Sequence, residues 1–209
     1  TVKNIIPDSV MITSIRQADA LSLGHAVLCA KQLLNNEPFA VLLPDVLVLD
    51  TESRGRNYSF TKLVEAWNET GVGQVMVERV DSDNIENYGV ADLNGAKSSP
   101  FKSLCLKGLV EKPTLKDAPS NLAVLGRYIL PSKVLELLEN TEAGVGGEIQ
   151  LTDALDGLLK IEGLNALETD ASIHDCGNKN GFLSANLAVG MRDIETRREI
   201  IRLFKKGGW

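Results

Sequence analysis

Three cysteines, 5% aromatic residues and no excess of basic side chains are what this 209-residue chain has least of. The cysteines are odd in number and form no Cys-x-x-Cys pair, which excludes a disulfide framework or a zinc site and fits a reducing, cytoplasmic compartment. Sparse aromatics leave no stacking platform for single-stranded nucleic acid. A formal net charge of -6 lacks the basic footprint of a nucleic-acid or anionic-membrane binder, so local cations must meet any anionic ligand. No apolar run approaches the roughly 18 residues of a spanning helix. The first residues hold Lys3 and Asp8 without the apolar stretch of a signal peptide, and Thr1 in place of Met suggests a chain that is not a complete natural product. There is no GxxxxGK[ST] loop, no GxGxxG after a strand, no HExxH and no GxSxG, which sets aside ordinary kinase, dehydrogenase, zincin and hydrolase chemistry.

What is present is an ordinary globular composition, 44% hydrophobic and 24% charged, long enough for one domain or for one with a small companion. Hydrophobic periodicity alternates between strand and helix spacing. Residues 10–15 read as a strand, 24–34 as a helix stopped by Asn35, Asn36 and Pro38, and 39–46 as a strand buried on both faces. A helix over 59–70 ends at Gly71, and 73–80 is the next strand, so the first eighty residues predict an α/β sheet with parallel neighbours. Strands follow at 88–93, 105–111 and 122–130, helices at 132–138 and 152–160, a strand pair around Ala166 and Ile173, and a helical stretch over 179–206. Gly144, Gly146 and Gly147 form a loop whose glycines by themselves suit a helix-connecting turn better than a ligand site.

In an α/β sheet, ligands gather at the carboxyl ends of strands, and several charged residues fall there. Asp45 leaves an apolar strand after Pro44, although a lone acid at such a place is more often a turn residue than a ligand. Glu111 and Lys112 end another strand, on opposite sides of an extended backbone. Asp175 lies in His174-Asp175-Cys176-Gly177-Asn178-Lys179, between an extended stretch and a helix whose N-terminus favours an anion. Two carboxylates from separate strand ends suit a Mg²⁺ shared with phosphates. Asp81-Ser82-Asp83 is a competing metal motif of the kind found in nucleotide-sugar glycosyltransferases, but it reads far more readily as a solvated loop within the acidic stretch 81–86. His25 and His174 share no ligand spacing and read as packing or hydrogen-bonding residues.

Seven segments, in order, resemble the bacterial UTP-glucose-1-phosphate uridylyltransferase family: 15–30 (IRQADALSLGHAVLCA), 43–47 (LPDVL), 88–90, 110–113 (VEKP), 121–128 (NLAVLGRY), 147–155 (GEIQLTDAL) and 174–179 (HDCGNK). The resemblance implies a Rossmann-like mixed sheet of the nucleotide-diphospho-sugar transferase type, over a catalytic domain of 1–190 with a helical extension at 191–209. It implies transfer of UMP from UTP to glucose 1-phosphate, giving UDP-glucose and pyrophosphate, with Mg²⁺ as cofactor. On this reading Gln17 and the backbone at Gly24 contact uracil, Gly89, Glu111 and Glu148 bind glucose, and Lys112 holds the sugar phosphate. Asp45 and Asp175 hold the metal, with Asp45 and Lys112 the catalytic pair, and Lys179 adds a phosphate contact. A non-catalytic, sugar-nucleotide-binding regulatory homologue is the alternative.

The family opens with a strand and a Gly-rich loop around the UTP phosphates, and nothing before Val10 resembles it, so the sheet is expected to be incomplete at its N-terminus and to expose edges that favour a homo-oligomer. The 209 residues alone are accordingly predicted to form little or no UDP-glucose from UTP and glucose 1-phosphate. Turnover by the purified chain in a coupled assay would overturn that expectation.

Overall fold

The computed structural model describes residues 7–55, 57–144 and 147–207. Gly146 of the glycine loop and the Gly208-Trp209 tail lie outside them. Two sheets organise the chain. The larger is mixed and contains β1 (Phe39–Leu42), β3 (Gly73–Arg79), β4 (Gly89–Asp92), β5 (Ser103–Cys105), β6 (Gly108–Glu111), β7 (Leu122–Leu130) and β8 (Leu164–Glu168). Its order is β5-β8-β3-β7-β4-β6, with β1 paired to β7 beside the β4 end. The smaller is a ribbon of β2 (Val46–Leu49) and β9 (Ser172–Asp175).

Helices α1 (Ser22–Cys29), α3 (Lys133–Glu139) and α4 (Leu151–Ile161) share one core with the sheet, built on Val75, Leu130, Leu138 and Leu158. A second core forms under α2 (Tyr58–Thr70), where Leu63 and Ala66 meet Met76, Leu125 and Leu167. Helix α2 begins where the buried Asp50 carboxylate accepts from the Ser59 backbone N–H at 3.1 Å, and ends at Gly71, whose positive φ of 67° closes a C-cap bond to Trp67 O at 2.7 Å. Helices α5 (Lys179–Gly190) and α6 (Ile194–Gly207) close the chain, α5 packing on β9. Among the described residues no helix is long and apolar enough to cross a membrane.

Several expectations need correction. Residues 10–15 form no strand. They are solvated, with Met11 89% exposed, because nothing pairs or covers them among the described residues. The helix expected over 24–34 stops at Cys29 and continues only as a 3-10 turn, Lys31–Leu33. The strand expected over 39–46 is two strands in two different sheets, since Pro44 supplies no N–H and the chain turns at Asp45. Far from being buried on both faces, β1 alternates between half-buried and exposed residues. The expected strand over 105–111 likewise breaks into β5 and β6. Parallel neighbours are the exception: among the described residues β3 with β8 is the parallel pair, while β1, β3 and β4 all run antiparallel to β7.

Strand β7 is the hub of the large sheet, and Gly126 at its centre has φ of 64°. A Cβ there would stand 2.6 Å from Leu43 Cγ, so only glycine lets the segment before Asp45 lie against the strand. Gly126→Ala is predicted to lower stability by about 1 to 3 kcal/mol through left-handed strain and overpacking, read as a lower urea midpoint with unchanged slope.

Candidate active site

Antiparallel pairing of β4 with β6 sets Gly89 opposite Glu111. A Cβ on Gly89 would meet Glu111 Oε2 at 3.1 Å, and the Thr152 hydroxyl, from the first turn of α4, donates to the same oxygen at 2.9 Å. These residues line a cavity of about 230 Å³, together with Tyr88, Gly126 and Gln150. Lys112 follows Glu111 with a positive φ of 44°, its backbone N–H donating to Tyr88 O at 3.0 Å. Its ammonium stays exposed, 3.9 Å from Glu111 Oε1. Glu148 is exposed beside the cavity and accepts from the Gln150 amide.

The ribbon brings Asp45 to Asp175. Val46 pairs with Asp175, and the Cys176 N–H donates to Asp45 O at 2.6 Å. A Cβ on Gly177 would stand 3.0 Å from Asp175 Oδ1 and 3.4 Å from Asp45 Oδ2, so the two carboxylates converge on the small space that this glycine leaves. Asp175 is oriented by the Gly177 N–H at 2.8 Å and by Asn178 Nδ2 at 3.0 Å. Gly181 lets the first turn of α5 pass over the Asp175 backbone, where a Cβ would collide with the carbonyl. Lys179 opens that helix and is exposed, two residues after Gly177. Among the described residues no cluster of three or more His, Cys, Asp or Glu could cage a metal. Asp81 and Asp83 sit exposed at the start of a 3-10 turn, Ser82–Asn87.

Cavity and carboxylate pair adjoin. Burial raises the Tyr88 phenol pKa, and the negative charges of Asp175 and Glu78 raise it further. Arg127 makes the other link. Its guanidinium donates to Leu43 O at 2.7 Å, Gly126 O at 3.1 Å and Val46 O, stapling both sides of the Asp45 turn, while burial lowers its pKa and Asp45 opposes that shift. Sequence reasoning passed over Arg127, although a cation inside the apolar run 122–130 was a visible signal. It also passed over Ser22, Gln150 and Thr152, which nothing in their spacing distinguishes.

Gln17 and Gly24 do not line the cavity, and each is linked to it through the lining residue Gln150. Gln17 Nε2 donates to Ser22 O at 3.1 Å, and the Ser22 hydroxyl donates to Gln150 Oε1 at 3.0 Å, so a hydrogen-bonded chain runs from Gln17 through Ser22 and Gln150 to Glu148. Gly24 is buried in α1, and a Cβ there would stand 2.9 Å from the Gln150 backbone carbon, so helix packing by itself accounts for glycine. His174 bonds to Ser172 and Ser184.

Residues 3–191 match the Nucleotidyl transferase family model. The UTP--glucose-1-phosphate uridylyltransferase of Haemophilus influenzae is 42% identical over 204 residues, which cover 98% of this chain and 69% of that relative. The chain belongs to the UTP-glucose-1-phosphate uridylyltransferase family. Among solved structures, a UDP-glucose pyrophosphorylase from Acinetobacter baumannii superposes with a TM-score of 0.88 at 39% identity, covering 98% of this chain and 69% of that one. A UTP-bound enzyme from the same organism gives 0.87 at 38% identity, covering 97% and 68%. The mixed sheet of the described residues is accordingly the fold shared with these structures.

Glu78, on β3 opposite Ala123, is a half-buried carboxyl that desolvation pushes up to about 7. An unfolded Glu titrates near about 4.3, so the folded state holds the extra proton in between. The stability that this proton contributes is complete below about pH 4 and is lost as pH rises through 7. Glu78→Gln is predicted to leave the melting temperature unchanged at pH 4 and to raise stability by about 1 kcal/mol at pH 8, after discounting for solvent screening.

Proposed function

We propose that this chain carries the sugar, phosphate and metal portion of a UTP-glucose-1-phosphate uridylyltransferase site, which joins UTP and glucose 1-phosphate into UDP-glucose with release of pyrophosphate. The observation that carries the reading is the convergence of Asp45 and Asp175 beside a cavity floored by Gly89 and Glu111. In the reaction, a phosphate oxygen of the sugar attacks the α-phosphorus of UTP and the bond to pyrophosphate breaks. That oxygen is already ionised at neutral pH, so no general base is required, and the protein's work is alignment and charge neutralisation.

Glu111, held by Thr152, accepts from glucose hydroxyls, and the absent side chain at Gly89 leaves the room for a pyranose face. Glu148, tied to Gln150, offers a second acceptor at the rim. The exposed ammonium of Lys112, a compact point charge, holds the sugar phosphate, and Lys179 supplies a further cation at the start of α5. Gln17 meets the base, with Gly24 behind it allowing α1 to pack close. Asp45 and Asp175 are hard oxygen donors that fit a divalent cation, proposed as magnesium, which would offset the charge of the phosphates when bound. We assign 1–190 to this catalytic unit and 191–209 to an appended helix. The outer edge of β1, unpaired among the described residues, is proposed as the seam of a homo-oligomer.

The regulatory homologue is not favoured, since Gly89, Glu111, Glu148 and Asp175 are all in place. Calorimetric titration of the 209-residue chain with UDP-glucose and Mg²⁺ is expected to give micromolar binding. Asp45→Asn should weaken it at least about tenfold, or 1.4 kcal/mol, and Asp83→Ala should not. Absence of heat from the unmodified chain, or the reverse order of the two variants, would reject the assignment.

A further inference from the structure

We propose that His25 is a positioning residue that sets the pyrimidine preference of the site, an inference that rests on the reading of Gln17 as the base contact. Gln17 Nε2 lies 3.1 Å from Ser22 O and 2.8 Å from His25 Nδ1. A backbone carbonyl can only accept, so the amide atom facing Ser22 is the nitrogen. Its second hydrogen then points at His25, which accepts at Nδ1 and carries its own hydrogen at Nε2, 3.9 Å from Cys29 Sγ. Both amide donors are thereby engaged. Oε1 is what the side chain has left, and it takes no hydrogen bond among the described residues.

An amide fixed this way offers a ligand an acceptor and no donor. Uracil presents an N–H at ring position 3, which such an oxygen can receive, whereas cytosine presents a lone pair there. The arrangement therefore admits the imide and sets cytosine oxygen against nitrogen with no hydrogen between. Thymine carries the same N–H, so the device rejects cytosine without separating uracil from thymine. Ser22 alone would leave the amide held on one side, free to swing about a terminal torsion that is broad and roughly two-fold. His25 on α1 supplies the second hold. Ser22 is itself anchored by its hydroxyl to Gln150, which lines the cavity, so the base contact and the sugar pocket share one hydrogen-bonded frame.

The test is calorimetric titration of the chain with UDP-glucose and with CDP-glucose, in Mg²⁺, for the unmodified protein, His25→Leu and His25→Asn. His25→Leu should cut the preference for UDP-glucose about tenfold, the scale of one hydrogen bond. His25→Asn, which can place an amide oxygen where Nδ1 stood, should restore most of it. Thermal melts of the three proteins establish that each is folded. If the unmodified chain binds UDP-glucose and His25→Leu keeps the full preference, the inference is overturned and the proposed function stands. If His25→Leu weakens both ligands equally, or His25→Asn restores nothing, His25 is merely structural and the inference is again overturned. If the unmodified chain binds neither ligand, the proposed function falls and this inference with it.

Discussion

A single backbone hydrogen bond, from the Cys176 N–H to the Asp45 carbonyl, marks the constraint on which the site depends. It continues the ribbon register of Val46 with Asp175 by one step and so brings together two carboxylates from distant parts of the chain. Neither acid is buried, and neither is neutralised by a salt bridge among the described residues. They are held side by side by the ribbon backbone, with the Asn178 amide on Asp175 and Arg127 on the Asp45 turn, in a place where water screens their repulsion. The chain stores no large electrostatic strain there, yet the pair is already arranged to gain from a cation.

Arg127 explains why the ribbon can sit where it does. The chain between β1 and β2 leaves one sheet and enters another within a few residues, and of the three carbonyls that Arg127 meets there, Gly126 O also accepts from the Leu43 N–H at 3.0 Å and Leu43 O from the Val46 N–H at 3.5 Å. One planar guanidinium answers all three, which a lysine could not do with the same geometry. Desolvation works against the charge, as the lowered pKa shows, and bonds to charged donors are strong enough to offset it. Gly126 completes the joint by leaving the space into which Leu43 packs. Arg127, Gly126 and the turn all lie on or against β7, so the position of Asp45 is referred to the hub strand of the sheet.

Much of this was legible in the sequence and some was not. Helices α2, α3 and α4 and strands β3, β4 and β7 are legible as apolar segments, the helices because each buries a stripe against a core, β3 and β7 because they are buried on both faces between the two cores. The convergence of Asp45 and Asp175 was inferable from two acids at strand ends. The strand across Pro44 was misjudged for a physical reason: apolar runs on both sides of a turn read as one run, although the two halves bury themselves against different partners. Parallel order was overestimated similarly, since alternation of strand and helix does not show that β7 will enter between β1 and β3 in antiparallel sense. Residues 10–15 carry a strand's composition without a strand's partner, and pairing is not a local property.

The distribution of charge resolves the apparent conflict between an acidic chain and anionic substrates. A net charge of -6 repels phosphates at long range, but at moderate salt that field decays within about 10 Å, so what counts is the set of groups close to the ligand. There the exposed cations Lys112 and Lys179 belong to segments whose backbones are fixed, Lys112 by its bond to Tyr88 and Lys179 by the capped start of α5. The acids nearby serve a different purpose. On the proposed assignment Glu111 would face hydroxyl groups, whose donors it can satisfy without a counter-charge, and the Asp45–Asp175 pair would be of use to phosphates only through a cation that both sides attract. On the proposed assignment such a site would bind its anions weakly without the cation, which would make the divalent ion a condition of substrate affinity as well as of chemistry.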